Sequence, residues 1–268
     1  MDRRAFLASS VAAAAVGPMA RDVRGQGTGT AAVAREVYEL RRYHLRVGPM
    51  VDRMHEYLKD VSIPALNRAG VRPVGAFMPQ FGSDTPSIFL LLAYPSLVDF
   101  GALPAKLDGD QEYKKAAEPH ATLPAHDPAY VRIDSQLMMA ATFMPKVEVP
   151  GGAAGNKPRV FELRTYESHS RRASRMKQEM FGPLGELAIF RRTGLTPVFF
   201  ADNLVGDRLP SLTYLLVFDD LAAREKNWGV FVSDPEWTSL RKKPGYTDPE
   251  IVSNITSVIL RPTPYSQI

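Results

Sequence analysis

The sequence predicts an α+β fold of two tandem βαββαβ halves. Three observations carry that expectation: an internal repeat, a glycine- and proline-rich break between its copies, and the same order of element signals in each copy. Tyr38-Glu39-Leu40-Arg41-Arg42-Tyr43 recurs as Phe161-Glu162-Leu163-Arg164-Thr165-Tyr166. Gly70-Val71-Arg72-Pro73-Val74 recurs as Gly194-Leu195-Thr196-Pro197-Val198, and Asp110-Gln111-Glu112-Tyr113 as Asp234-Pro235-Glu236-Trp237. All three matches keep one register, 123 or 124 residues apart. A unit of that length is a duplicated domain, since solenoid repeats run roughly 20 to 50 residues. The break, Val149-Pro150-Gly151-Gly152-Ala153-Ala154-Gly155-Asn156-Lys157-Pro158, excludes helix and central strand. The expected division is an export signal and flexible lead-in over 1–34, a first half over 35–148, a linker over 149–158 and a second half over 159–268.

In chain order, the first half reads as a strand over 37–44, a helix over 50–69, strands over 71–78 and 88–94, helical pieces over 97–118 and a strand over 131–139. Pro104, with glycines at 101 and 109, weakens the second helix. The second half repeats this order. Residues 159–166 alternate as a strand, and 171–192 are helical but interrupted at Gly182-Pro183 and Gly185, with a restart near Glu186. Runs 195–201 and 212–218 form a hairpin around a turn at 203–210. Asp219 and Asp220 offer N-caps to a helix from Leu221 to about Phe231, and Trp228, Phe231 and Trp237 read as core. A strand over 251–260 stops at Pro262 and Pro264, and Tyr265 belongs to a tail pinned on the surface. Each half is thus ferredoxin-like, a sheet with helices on one face and the other face needing cover. The two halves satisfy that need together by packing into one α/β barrel, an intrachain pseudo-dimer.

Composition narrows the function classes. The chain has 268 residues and a net charge of +4 from 33 basic and 29 acidic residues, with no basic stripe interleaved with aromatics, so nucleic acid is not an expected partner. It contains no cysteine, which removes disulfides, thiolate metal sites and cysteine nucleophiles. Met1-Asp2-Arg3-Arg4-Ala5-Phe6-Leu7, an apolar stretch over 8–16 and then Gly17, Pro18 and Ala20 resemble a twin-arginine export signal. The apolar stretch is shorter than the ~20 residues a bilayer span needs. A periplasmic or secreted protein with no stable membrane span is expected.

Glu162-Leu163-Arg164-Thr165-Tyr166, Ile189-Phe190-Arg191-Arg192-Thr193-Gly194, Leu221-Ala222-Ala223-Arg224-Glu225, Trp228, Phe231, Asp234-Pro235-Glu236-Trp237 and Leu260-Arg261-Pro262-Thr263-Pro264-Tyr265-Ser266 resemble the NIPSNAP family. The first half keeps the Glu-Leu-Arg strand but loses the Ala-Ala-Arg-Glu helix and its tryptophan. The resemblance implies membership of the dimeric α/β-barrel group. That group includes cofactor-free oxygenases, isomerases, haem-binding members and members of no known activity, so it implies fold far more than function.

Strand alternation places Glu39, Arg41 and Tyr43 on one face, and Glu162, Arg164 and Tyr166 on the matching face. Both sets are expected to point into the barrel, with Tyr38, Leu40, Phe161 and Leu163 under the helices. A cavity lined by carboxylate, guanidinium and phenol suits a polar group on an otherwise apolar ligand. Glu162, Arg164 and Tyr166 are the catalytic candidates, and Glu39, Arg41 and Tyr43 the ligand-binding ones. The competing reading is that each Glu and Arg only neutralise one another. His44, His55, His120, His126 and His169 show no metal-ligand spacing, and no Gly-x-Ser-x-Gly elbow, Walker loop or dinucleotide glycine motif occurs, so no cofactor or metal is expected. The function expected is an exported protein that holds a small, partly apolar molecule in its barrel or presents a surface to a protein partner, its oligomeric state open. The alternative is a cofactor-independent oxygenase or isomerase, with Glu162 or Tyr166 as base and Arg164 stabilising an anion.

Overall fold

The computed structural model describes residues 33–82, 85–151 and 159–268; the expected export signal and most of the expected linker lie outside the described residues. The first half runs β1 (Val37–His44), α1 (Pro49–Glu56), a π-helical turn (Tyr57–Ser62), α2 (Ile63–Arg68), β2 (Val74–Pro79), β3 (Ser87–Tyr94), α3 (Leu97–Gly109), α4 (Gln111–Ala121) and β4 (Arg132–Ala140). The second runs β5 (Val160–Glu167), α5 (Arg171–Phe181), α6 (Glu186–Arg192), β6 (Thr196–Val205), β7 (Ser211–Phe218), α7 (Leu221–Ser233), α8 (Pro235–Leu240), α9 (Asp248–Ile251) and β8 (Asn254–Pro262).

Local chemistry explains the boundaries. Ser170 and Asp220 cap α5 and α7 through the backbone N–H groups of Ala173 and Ala223, and Gly185, at φ 91°, turns the chain between α5 and α6. The repeated aspartates have one job in both halves. Asp110 and Asp234 cap α4 and α8 while accepting from Arg68 and Arg192 at 2.9 and 2.7 Å. Three elements depart from expectation. Pro104 leaves α3 unbroken, because the Ser96 cap and the packing of Phe100, Leu103 and Leu107 on the first-half core hold it together. β6 runs on to Val205, since Asn203 is buried and bonds Thr213 at 3.0 Å. α9, led by a Thr247/Glu250 capping box, precedes β8.

The strands close into an antiparallel barrel in the order β1-β3-β2-β8-β5-β7-β6-β4. Ladders within each half are long, from Val37↔Tyr94 to His44↔Ser87 and from Val160↔Phe218 to Glu167↔Ser211. The halves meet at two short seams, Phe77↔Pro262 to Pro79↔Leu260 and Leu137↔Val205 to Ala140↔Ala201. Both seams involve the C-terminal ends of β4 and β8, so the barrel is zipped at that end and splays at the other. After β8, Thr263 and Gln267 donate to Ala76 and Val74 at 2.9 and 3.0 Å, and after β4, Ala141 and Glu148 donate to Phe200 and Val198 at 2.8 Å. The first of these segments buries Ile268 in the lumen, and a Cβ on Gly75 would stand 2.6 Å from the Phe77 ring. Tyr265 ties the tail to the body through a 2.7 Å bond to Nδ1 of His55, a ring whose pKa burial holds below its ordinary value.

One expectation is reversed. Tyr38, Leu40, Phe161 and Leu163 point into the lumen, where Tyr38 packs on Phe199 at 5.2 Å and Phe161 on Phe77 at 4.9 Å, each pair joining the two halves. Tyr43 and Tyr166 belong instead to the outer cores beneath the helices, and Glu39, Arg41, Glu162 and Arg164 share that face. The physical reason is that the lumen must be filled from all strands at once, and the apolar rows do this without unpaired charge. In the second half the outer face receives α7, which brings Arg224 and Trp228 as polar partners.

Candidate functional site

Beneath the first-half helices, Glu39 accepts from Nε and Nη2 of Arg41, each at 2.9 Å, from Tyr94 at 3.0 Å and from Ser135 at 2.8 Å. Burial opposes its ionisation, but the bonds and charge of Arg41 outweigh this and hold its pKa below the ordinary glutamate value. The second half is denser. Glu162, with no exposed side-chain surface, accepts from Arg164 Nη1, both Nε and Nη2 of Arg224, and Trp228 Nε1 at 2.8 Å, and from Ser257 at 2.7 Å. Burial again pushes upward, and these partners win, drawing its pKa down to about 2. Arg164 lies 4.8 Å from the Trp228 ring centre and donates to Tyr166 at 3.3 Å, and Tyr214 donates to the same phenol at 3.0 Å. Nearby, Lys177 meets Glu186 at 3.1 Å, both side chains about 2% exposed.

The structure therefore brings each Glu-Arg-Tyr set together but turns both away from the lumen. Their acceptor positions are taken by protein donors, and the rings of Phe181, Phe190 and Trp228 pack around the second set. A base at pKa about 2 with five donors on it is a poor proton acceptor. Sequence reading missed Arg224, Trp228, Ser257, Lys177 and Glu186 as partners. One signal was available: Leu221, Arg224, Trp228 and Phe231 lie on a single helical stripe, and an arginine on a sheet-facing stripe calls for an acid beneath it. Arg164→Met is expected to lower the melting temperature, because Glu162 loses a donor and Trp228 its stacked cation, while leaving small-molecule binding in the lumen unchanged; paired thermal and calorimetric measurements check this.

One space open to a ligand is the splayed end of the lumen, a cavity of about 630 Å3. Its apolar wall is Leu40, Phe89, Leu163 and Val258, and its rim carries Arg42, Asp134, Asp207 and Arg208. The two sides differ although their strands are repeats. Arg42, 5.0 Å over the Phe89 ring, stands where the second half has Thr165; Phe89 corresponds to Thr213, and Val258 to Gln136. Across the β4–β6 seam Gln136 of the first half donates to Asn203 at 2.7 Å and to Thr213 at 3.2 Å, and Thr165 and Thr213 lie 3.0 Å apart. Arg208 donates to Thr256 at 2.7 Å across the rim. Apolar walls with a few fixed polar groups at a barrel mouth are the usual make-up of a small-molecule seat. Among the described residues no cluster of His, Asp and Glu is arranged to hold a metal ion, and no helix is long and apolar enough to cross a membrane.

An antiparallel barrel of two ferredoxin-like halves, sheathed by helices, defines the α+β pseudo-dimer class of dimeric α/β barrels, completed here within one chain. The NIPSNAP family model matches residues 38–145 and again residues 161–267, so the chain belongs to the NIPSNAP family and carries its domain twice. Among solved structures it is similar to a proposed monooxygenase from Fusobacterium nucleatum, with 8% identity over 86% of this chain and 93% of that one and a TM-score of 0.55. A second proposed monooxygenase, from Lactobacillus acidophilus, gives 7% identity, 84% and 93% coverage and a TM-score of 0.55. A NIPSNAP-like domain protein from Burkholderia xenovorans is 19% identical over 40% of this chain and 88% of that one, with a TM-score of 0.36. At these identities the likeness shows the fold alone. No curated protein matches the chain.

Proposed function

We propose that this NIPSNAP protein binds a small, partly apolar molecule in the open mouth of its barrel, and that it does so as an exported protein. The observation that carries the reading is the cavity at the splayed end, lined by the apolar Leu40, Phe89, Leu163 and Val258 and by the polar Gln136 and Thr165, with the Gln136 amide held by bonds to Asn203 and Thr213. Export rests on the twin-arginine-like start of the sequence. The reading favours binding over oxygenase or isomerase chemistry, because the carboxylates that would serve as bases, Glu39 and Glu162, face the helices and are saturated with donors.

Calorimetric titration with 1-naphthol, an apolar ring bearing one hydroxyl, tests it. Saturable binding to the full chain is expected, weakened at least about tenfold by Val258→Trp, which fills the half-exposed wall, and unchanged by Arg164→Met. Binding that survives Val258→Trp, or is lost with Arg164→Met in folded protein, overturns the assignment to the mouth.

A further inference from the structure

We infer that the zipped end of the barrel carries a second small-molecule seat, one for an organic carboxylate that also bears a hydrogen-bond donor. A cavity of about 790 Å3 lies there, reached by Arg159 at the start of β5, Asp219 and Asp220 ahead of α7, Arg261 near the end of β8, and Gln80 beyond β2. It does not overlap the mouth, whose walls come from the opposite ends of the same strands.

Arg159 is the reason for the inference. Its Nε and Nη1 are buried and have no hydrogen-bond partner among the described residues, its guanidinium lies 5.5 Å from the centre of the Phe161 ring, and burial draws its pKa below the ordinary arginine value. Elsewhere on this molecule arginines at helix and loop positions close on carboxylates: Arg53 on Asp127, Arg191 on Glu148 and Arg192 on Asp234, each at 2.7 Å. Arg159 shares a cavity with two aspartates and closes on neither. Asp220 is committed to the N–H of Ala223 at 2.7 Å, holding the start of α7. Gln80 has its backbone fixed by a 2.8 Å bond to Ile259, yet its side-chain Oε1 is buried and also without a partner.

A cation and an acceptor lining one cavity, each with buried polar atoms left unsatisfied, cost the ligand-free fold stability. Both are satisfied together by a molecule with an anionic end for Arg159, with Arg261 adding positive field, and a hydroxyl or ammonium end for Gln80. A carboxylate is the anion that suits an arginine of this kind, through charge-assisted bonds.

The experiment titrates the full chain with 4-hydroxybenzoate, benzoate and phenol by calorimetry. The expected order of affinity is 4-hydroxybenzoate, then benzoate, then phenol. Arg159→Met weakens 4-hydroxybenzoate at least about tenfold while raising the melting temperature of the ligand-free protein, which also shows that the variant folds. Gln80→Leu abolishes the advantage of 4-hydroxybenzoate over benzoate. Val258→Trp leaves the two carboxylates, 4-hydroxybenzoate and benzoate, unchanged, so failure of the mouth reading and failure of this one are told apart. Absence of saturable 4-hydroxybenzoate binding to the wild-type chain overturns the inference. So does binding indifferent to Arg159→Met, or binding abolished by Val258→Trp.

Discussion

Glu162→Gln is expected to cost the fold about 3 kcal/mol at pH 7 and almost nothing near pH 2. The carboxylate sits between two guanidiniums, Arg164 and Arg224, with Trp228 and Ser257 completing its shell, and its pKa is drawn down to about 2. In the unfolded chain a glutamate titrates near 4.3. A carboxyl whose pKa is depressed by folding contributes its full stability above the unfolded value, and that contribution drains away as pH falls towards the folded one. The wild type should therefore lose ground to Glu162→Gln between about pH 4.5 and pH 2. Urea unfolding of both proteins at pH 7, 4 and 2.5 measures the gap. A gap that does not narrow on acidification would mean that charge is not what Glu162 supplies. Glu39→Gln is expected to lose less, because Glu39 faces one guanidinium where Glu162 faces two.

Lys177→Met is expected to destabilise by about 3–5 kcal/mol at pH 8, since it strands Glu186 in a dry core. Lys177 Nζ lies 3.1 Å from Glu186 and 4.8 to 5.5 Å from the ring centres of Phe181, Tyr166 and Trp237. Burial pushes the Glu186 pKa up to about 7 even with the lysine beside it, and removing the lysine pushes it further. For a carboxyl raised by folding, the native state binds the extra proton, so stability falls as pH climbs from the unfolded value through the folded one. The Lys177→Met defect should shrink at pH 5, where Glu186 is neutral. Lys177→Met combined with Glu186→Leu should recover most of the loss at pH 8. Equal defects at pH 5 and pH 8 would assign the effect to lost packing of the lysine stem.

Much of the fold was legible because it is written twice. The recurrence of the Glu-Leu-Arg strand and of Asp110 as Asp234 placed the elements in order, and Asp110 and Asp234 proved to do the same capping work in each half. The side of the sheet on which each residue stands was not legible. A period of two says that Glu162 and Phe161 lie on opposite faces, but it is unchanged when the faces are exchanged, and both rows carry aromatics. Only Arg224, an arginine on the stripe of α7 that packs on the sheet, distinguishes them. The mouth was equally hidden. It exists because β2 pairs with β8 and β4 with β6 over only a few residues, and pairing between segments so far apart leaves no local mark.

The unlike walls of the mouth have a consequence for recognition. A ring closed by two copies of one chain must display each lining residue in duplicate about its dyad, so a guest lacking that dyad docks in two equivalent poses or makes poor use of half its contacts. Joined end to end, the copies were released from matching. With Arg42 and Phe89 on the first-half strands and Thr165 at the matching place on the second-half strand, a lopsided guest held in the mouth as proposed would meet one preferred pose.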